Sequence, residues 1–142
     1  MRRANTELTA MRNDDLLRAV NEVVKFFDVE TPEEAVALAT KRPSKRFWCS
    51  SQSAERAIWR IRKGETLDEM LPTLREQYFT LYDLYLELRE TDEFRGKSVH
   101  YICAILVEQP APKFYLTVNS ALKIYKNWRL KRLCERTARL MR

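Results

Sequence analysis

A segment beginning at Pro43, Pro-Ser-Lys-Arg-Phe-Trp-Cys-Ser-Ser-Gln-Ser-Ala, returns 67 positions later (43 to 110) as Pro-Ala-Pro-Lys-Phe-Tyr-Leu-Thr-Val-Asn-Ser-Ala. Pro43, Phe47, Ser53, Ala54 and Arg62 meet Pro110, Phe114, Ser120, Ala121 and Arg129. Arg46 aligns with Lys113, Trp48 with Tyr115, Gln52 with Asn119 and Arg56 with Lys123. Such self-similarity constrains the fold, because one supersecondary unit has then been used twice. The two glycines of the 142-residue chain exclude architectures that need many tight turns and point to helices.

Start and stop signals divide the chain into about six helices. Asn13, followed by Asp14 and Asp15, is expected to cap the first, which carries Leu16, Val20, Val23 and Phe27 on one stripe. Thr31-Pro32-Glu33-Glu34 reads as a capping box opening a short second helix that ends before Pro43. Ser50 caps a third, closed by Gly64. Thr66-Leu67-Asp68-Glu69 reads as a further capping box ahead of a long helix from about Pro72 to Glu90. Ser98 caps a fifth helix that stops before Pro110 and Pro112, and Thr117 caps the last. The expected fold is therefore all-α: two three-helix pseudo-repeats, about 13–64 and 66–142, packed around one core as a single domain 1–142. Residues 1–12 and the last few are expected to be loose ends.

Charge follows the repeat. Residues 41–63 hold eight bases and one acid, and residues 113–142 hold nine bases and one acid. Residues 66–95 hold eight acids against three bases, and residues 13–40 seven against two. Segregation of this kind suits a polyanionic partner, although basic helix faces that merely balance acidic ones give the same pattern.

Each repeated link joins a helix to a capped basic helix, an order that resembles a helix-turn-helix, with a link of about eight residues where three or four are usual. On that reading Lys45, Arg46 and Lys113 meet phosphates, while Gln52, Arg56, Arg60, Asn119, Lys123, Lys126 and Asn127 face groove or backbone, with Lys123, Lys126 and Arg129 joining the phosphate clamp. Trp48 and Tyr115, beside Arg46 and Lys113, also suit stacking on single strands. Neighbours in an extended segment point opposite ways, so Phe47 and Phe114 are expected inside and Trp48 and Tyr115 partly outside. The run from Lys131 to Arg142 is basic and amphipathic, fit for nucleic acid, for an anionic membrane surface, or for a solvated helix end.

No catalytic signature appears. His100 has no ligand-spaced partner in sequence and reads as structural; Cys49, Cys103 and Cys134 form neither a disulfide framework nor a metal motif. Two glycines cannot make a phosphate-binding loop. No enzyme activity, metal or cofactor is expected. With no apolar run of transmembrane length and no secretory leader, a cytoplasmic protein is expected. The leading expectation is a non-enzymatic nucleic-acid-binding protein, duplex DNA first, with RNA or single strands open. The alternative is an interaction module that docks an acidic protein or a second copy of itself. The Pro-Ala-Pro-Lys-Phe-Tyr-Leu-Thr segment and the Met-Arg-Asn-Asp-Asp-Leu-Leu stretch resemble a group of small proteins of gut anaerobes and their mobile elements, which implies an accessory role and no assigned residues.

Overall fold

The structure, a computed structural model, describes residues 2–141, with side chains from Thr6 to Met141. Six helices run in order: α1 (Arg2–Phe26), α2 (Pro32–Thr40), α3 (Ser51–Arg62), α4 (Pro72–Arg89), α5 (Val99–Leu106) and α6 (Val118–Leu140). The class is all-α.

Four helix starts follow side-chain caps. The hydroxyls of Thr31, Ser50, Ser98 and Thr117 each accept the backbone N–H three residues on, at Glu34, Ser53, Tyr101 and Ser120. These caps fall at matching positions, since 31 and 98, like 50 and 117, are 67 apart.

One expected start and one expected capping box are corrected. Asn13 lies inside α1, because nothing between Arg2 and Arg12 breaks a helix and the chain is already wound when it arrives. Residues 2–12, expected to be a loose end, are helical; Met1 and Arg142 lie outside the described residues. The Thr66 box does not open a helix either. Leu67 adopts φ 56°, a left-handed conformation, and buries its side chain. Thr66 Oγ1 donates to Asp68, and α4 begins only at Pro72.

The packing interleaves the two halves. α1 packs on α2, and both take α6; α4 packs on α5, and both take α3. The third helix of each half thus completes the bundle of the other half. The apolar interior divides accordingly, where one shared core was expected. One cluster holds Leu16, Val20 and Val23 with Ala35, Val36, Ala39 and Ala121. The other holds Ala54, Ile58 and Ile61 with Leu81, Tyr85, Ile102 and Leu106.

The links cross at the middle. Ser44 and Ala111 form a reciprocal antiparallel bridge, N–H to O at 3.0 and 3.1 Å. The Phe47 N–H donates to Val107 O and the Phe114 N–H donates to Thr40 O, each at 3.0 Å. Every partner in these pairs maps onto its counterpart by the same 67-residue offset. The chain therefore crosses itself between Ser44 and Ala111.

Candidate nucleic-acid interface

The crossing sets where the repeated side chains go. Phe47 is buried in the α3–α5 cluster, and its neighbour Trp48 packs on the α1, α2 and α6 cluster. Phe114 and Tyr115 do the reverse. Opposite-pointing neighbours on an extended strand thereby clasp both cores at once. Trp48 and Tyr115 remain half-buried. Phe47 stacks on Tyr115 with ring centres 6.0 Å apart and planes at 15°.

Each clasp carries its own cation. Arg46 lies 5.4 Å over the Trp48 ring, and Lys113 lies 5.5 Å over that of Tyr115. The Arg46 guanidinium also donates to Phe47 O and Cys49 O, at 3.1 and 3.3 Å. Lys113 pairs with Glu76 at 2.6 Å. The indole Nε1–H of Trp48 donates to Asp15 Oδ2 at 3.1 Å. Rings covered and tethered in this way serve as clasps and are poorly placed as stacking platforms for a strand.

Arg46, Trp48, Lys113 and Tyr115 nevertheless converge. They line one cleft of about 200 Å³ where the links cross, walled further by Arg12, Leu71, Leu74 and Thr117. Lys45 is exposed; its backbone N–H is held by Asp15 Oδ2 at 2.8 Å, and no ion pair engages its ammonium among the described residues.

The remaining expected residues lie on α3 and α6, which do not touch each other. On α3, Gln52 and Arg56 are exposed, whereas Arg60 is paired with both Glu65 and Glu69. Those two hydrogen bonds raise the pKa of the Arg60 guanidinium. On α6, Asn119, Lys123, Lys126 and Arg129 are exposed and no ion pair engages them among the described residues. The helix-turn-helix arrangement is not formed. α2 does not contact α3 and α5 does not contact α6, because each link carries its following helix across to the other bundle.

Sequence reasoning passed over two features. Asp15, assigned to a first helical turn, sits mid-helix and buried, and holds the first link through Lys45 and Trp48. The available signal was its spacing, four before Ala19 and eight before Val23 on the apolar stripe. Arg12 lies one turn further back on that stripe, four before Leu16. The basic run at the far end of α6, singled out from sequence, is open to solvent: from Arg129 to Met141 every residue is exposed. Trp128, Arg132, Arg136 and Arg139 share one side of it, with Arg132 5.2 Å over the Trp128 ring.

The thiols fit a structural role. Burial pushes Cys49 and Cys103 up to about 12, which holds both as neutral thiols, while Cys134 is exposed. His100 Nδ1 lies 3.0 Å from Glu55 Oε2 at the surface. No group of three His, Cys, Asp or Glu side chains among the described residues is placed to hold a metal. Among them, no helix is long and apolar enough to cross a membrane. No protein-family model, curated protein or solved structure matches the chain.

Proposed function

We propose that the chain binds nucleic acid, duplex DNA first, through the second half of α6. The observation that carries this reading is the electrostatic state of that helix. Between Lys123 and Met141 it holds seven bases and one acid, Glu135, and none of the seven is ion-paired among the described residues. Elsewhere among the described residues Arg18, Arg42, Arg60, Arg75, Arg89, Arg95 and Lys113 meet carboxylates, while nine other bases do not; α6 differs in gathering seven unpaired ones on a single helix. The stretch from Arg129 to Leu140 is about 18 Å long at 1.5 Å per residue, and a helix of this width fits the major groove. Four to six phosphate contacts of this kind correspond to a log–log salt slope of about −4 to −5. The resemblance to mobile-element proteins adds an accessory role to this proposal.

A second reading rests on the adjacent face of the same helix. Leu130, Leu133 and Leu140 are 62%, 54% and 86% exposed. Their spacing of three and seven matches the seam of a coiled coil with a second copy. Self-association through this seam would present two basic faces together.

Fluorescence anisotropy of labelled duplex DNA, single-stranded DNA and RNA tests both readings, with sedimentation to report self-association. Nucleic-acid binding with the stated salt slope, lost in Arg132→Glu/Arg136→Glu, is the expected result. Absence of binding at low salt overturns the nucleic-acid reading. A dimer abolished by Leu133→Glu, without nucleic-acid binding, would favour the second.

A further inference from the structure

The cleft at the crossing of the links presents a different chemistry from α6. Arg12, Arg46 and Lys113 line it, and no carboxylate does. Two of these cations are already engaged: Arg46 by two backbone carbonyls and Lys113 by Glu76 from outside the wall. Arg12 is different. Among the described residues no acid lies within ion-pairing distance, and its guanidinium donates to the amide oxygen of its neighbour Asn13, at 3.1 and 3.3 Å. The residue is half-buried, and desolvation lowers its pKa. Withdrawing a cation from water without a counter-charge is costly, and a guanidinium offers a planar fork to an oxyanion. The cleft of about 200 Å³ beside it also has Thr117 and Ser120 on its wall, the Thr117 hydroxyl donating to Ser120 Oγ at 2.9 Å.

We propose that this cleft is a binding site for a phosphate monoester, gripped by Arg12 and flanked by Arg46 and Lys113. Three cations around one hole suit a group carrying close to two negative charges better than a single carboxylate. The site does not rest on the α6 reading, since the two share no residue. The phosphate has two possible sources, the 5′ end of a nucleic acid or a free phosphorylated molecule.

Isothermal titration calorimetry with inorganic phosphate, at ionic strength held constant with chloride, tests the site itself. One saturable site is expected, weakened about tenfold or more in Arg12→Gln, as loss of a charge-assisted bidentate contact implies. Arg12→Lys, which keeps the charge and removes the fork, should fall between. Arg136→Glu/Arg139→Glu should leave phosphate binding unchanged, so that a failure of the α6 reading cannot pass for a failure of this one. Anisotropy with 5′-phosphorylated and 5′-hydroxyl oligonucleotides then assigns the source. A preference of about tenfold for the phosphorylated end that disappears in Arg12→Gln indicates the nucleic-acid terminus. Equal affinity beside saturable inorganic phosphate binding indicates a free ligand. Absence of saturable phosphate binding, or wild-type binding by a folded Arg12→Gln, overturns the proposal.

Discussion

Removing the Asp15 carboxylate should cost more stability than any surface charge in the molecule. Its side chain is 2% exposed and joins three groups. Oδ2 accepts the Lys45 backbone N–H at 2.8 Å and the Trp48 Nε1–H at 3.1 Å, while Oδ1 accepts Arg18 Nε at 2.8 Å. Asp15→Ala leaves the first two donors without an acceptor, at about 1–3 kcal/mol each. The Arg18 pair adds about 0.5–1 kcal/mol, discounted because Arg18 is one-third exposed. The total is about 2.5–7 kcal/mol, a large share of the roughly 5–15 kcal/mol that holds a domain together. Asp15→Asn keeps one acceptor and should cost about half as much. Urea unfolding followed by far-UV circular dichroism reads these differences. Trp48→Phe supplies the cross-check, since it deletes one of the same donors. The double variant should then cost about 1–2 kcal/mol less than the sum of the singles. An Asp15→Ala cost below about 1 kcal/mol, or strict additivity with Trp48→Phe, would refute the view that this carboxylate pins the link.

Thiol accessibility and pH give two further tests. Native protein should titrate only Cys134 with a disulfide-exchange reagent; a fast native reaction at Cys49 or Cys103 would contradict their burial. Those two thiols rise from 9.0 to about 12 in the fold, so the neutral form is favoured by folding. Their contribution is fully present below pH 9 and is lost as the pH climbs toward 12, and replacing both by Ala should flatten that alkaline fall in melting temperature. Gly64→Ala should cost about 1–2 kcal/mol, because Gly64 sits at φ +96° and an added Cβ would meet nothing within 4 Å, which leaves the backbone conformation as the whole penalty. An unchanged melting temperature would show that the turn relaxes.

Legibility tracked the range of the interaction responsible. Thr31, Ser50, Ser98 and Thr117 were readable as caps because donor and acceptor lie three residues apart. Asn13 carried the same local signature and misled, since capping chemistry cannot reveal that the chain is already helical upstream. The opposed burial of Phe47 and Trp48 followed from the strand alternation alone, and so did that of Phe114 and Tyr115. What no local pattern contains is the destination of α3 and α6. Their apolar stripes look the same whether each helix folds back on its own half or crosses to the other. The site suffered from the same blindness. Lys113 reads as a free phosphate ligand until α4 brings Glu76 to it, and Arg12 reads as a surface base until the crossing builds a cleft around it.

Interleaving has a consequence for the halves as separate molecules. A fragment ending near Glu65 keeps α1, α2 and α3 but loses α4 and α5, against which Ile58, Ile61 and Phe47 are buried. Exposing those three side chains forgoes about 5–9 kcal/mol at 1.5–3 kcal/mol each, comparable with the stability of a whole domain. The complementary fragment from Thr66 keeps α6 but loses α1 and α2, which cover Phe114 and Ala121. Neither fragment should show a cooperative thermal transition as a monomer, and mixing the two should restore helicity together with a single transition. The Ser44–Ala111 bridge then becomes an intermolecular contact, so the restored melting temperature should rise with fragment concentration. A monomeric 1–65 fragment that melts cooperatively by itself would mean that α3 can pack on α1 and α2. The crossing would then be one of two accessible arrangements, and the cleft that depends on it would open and close with the exchange.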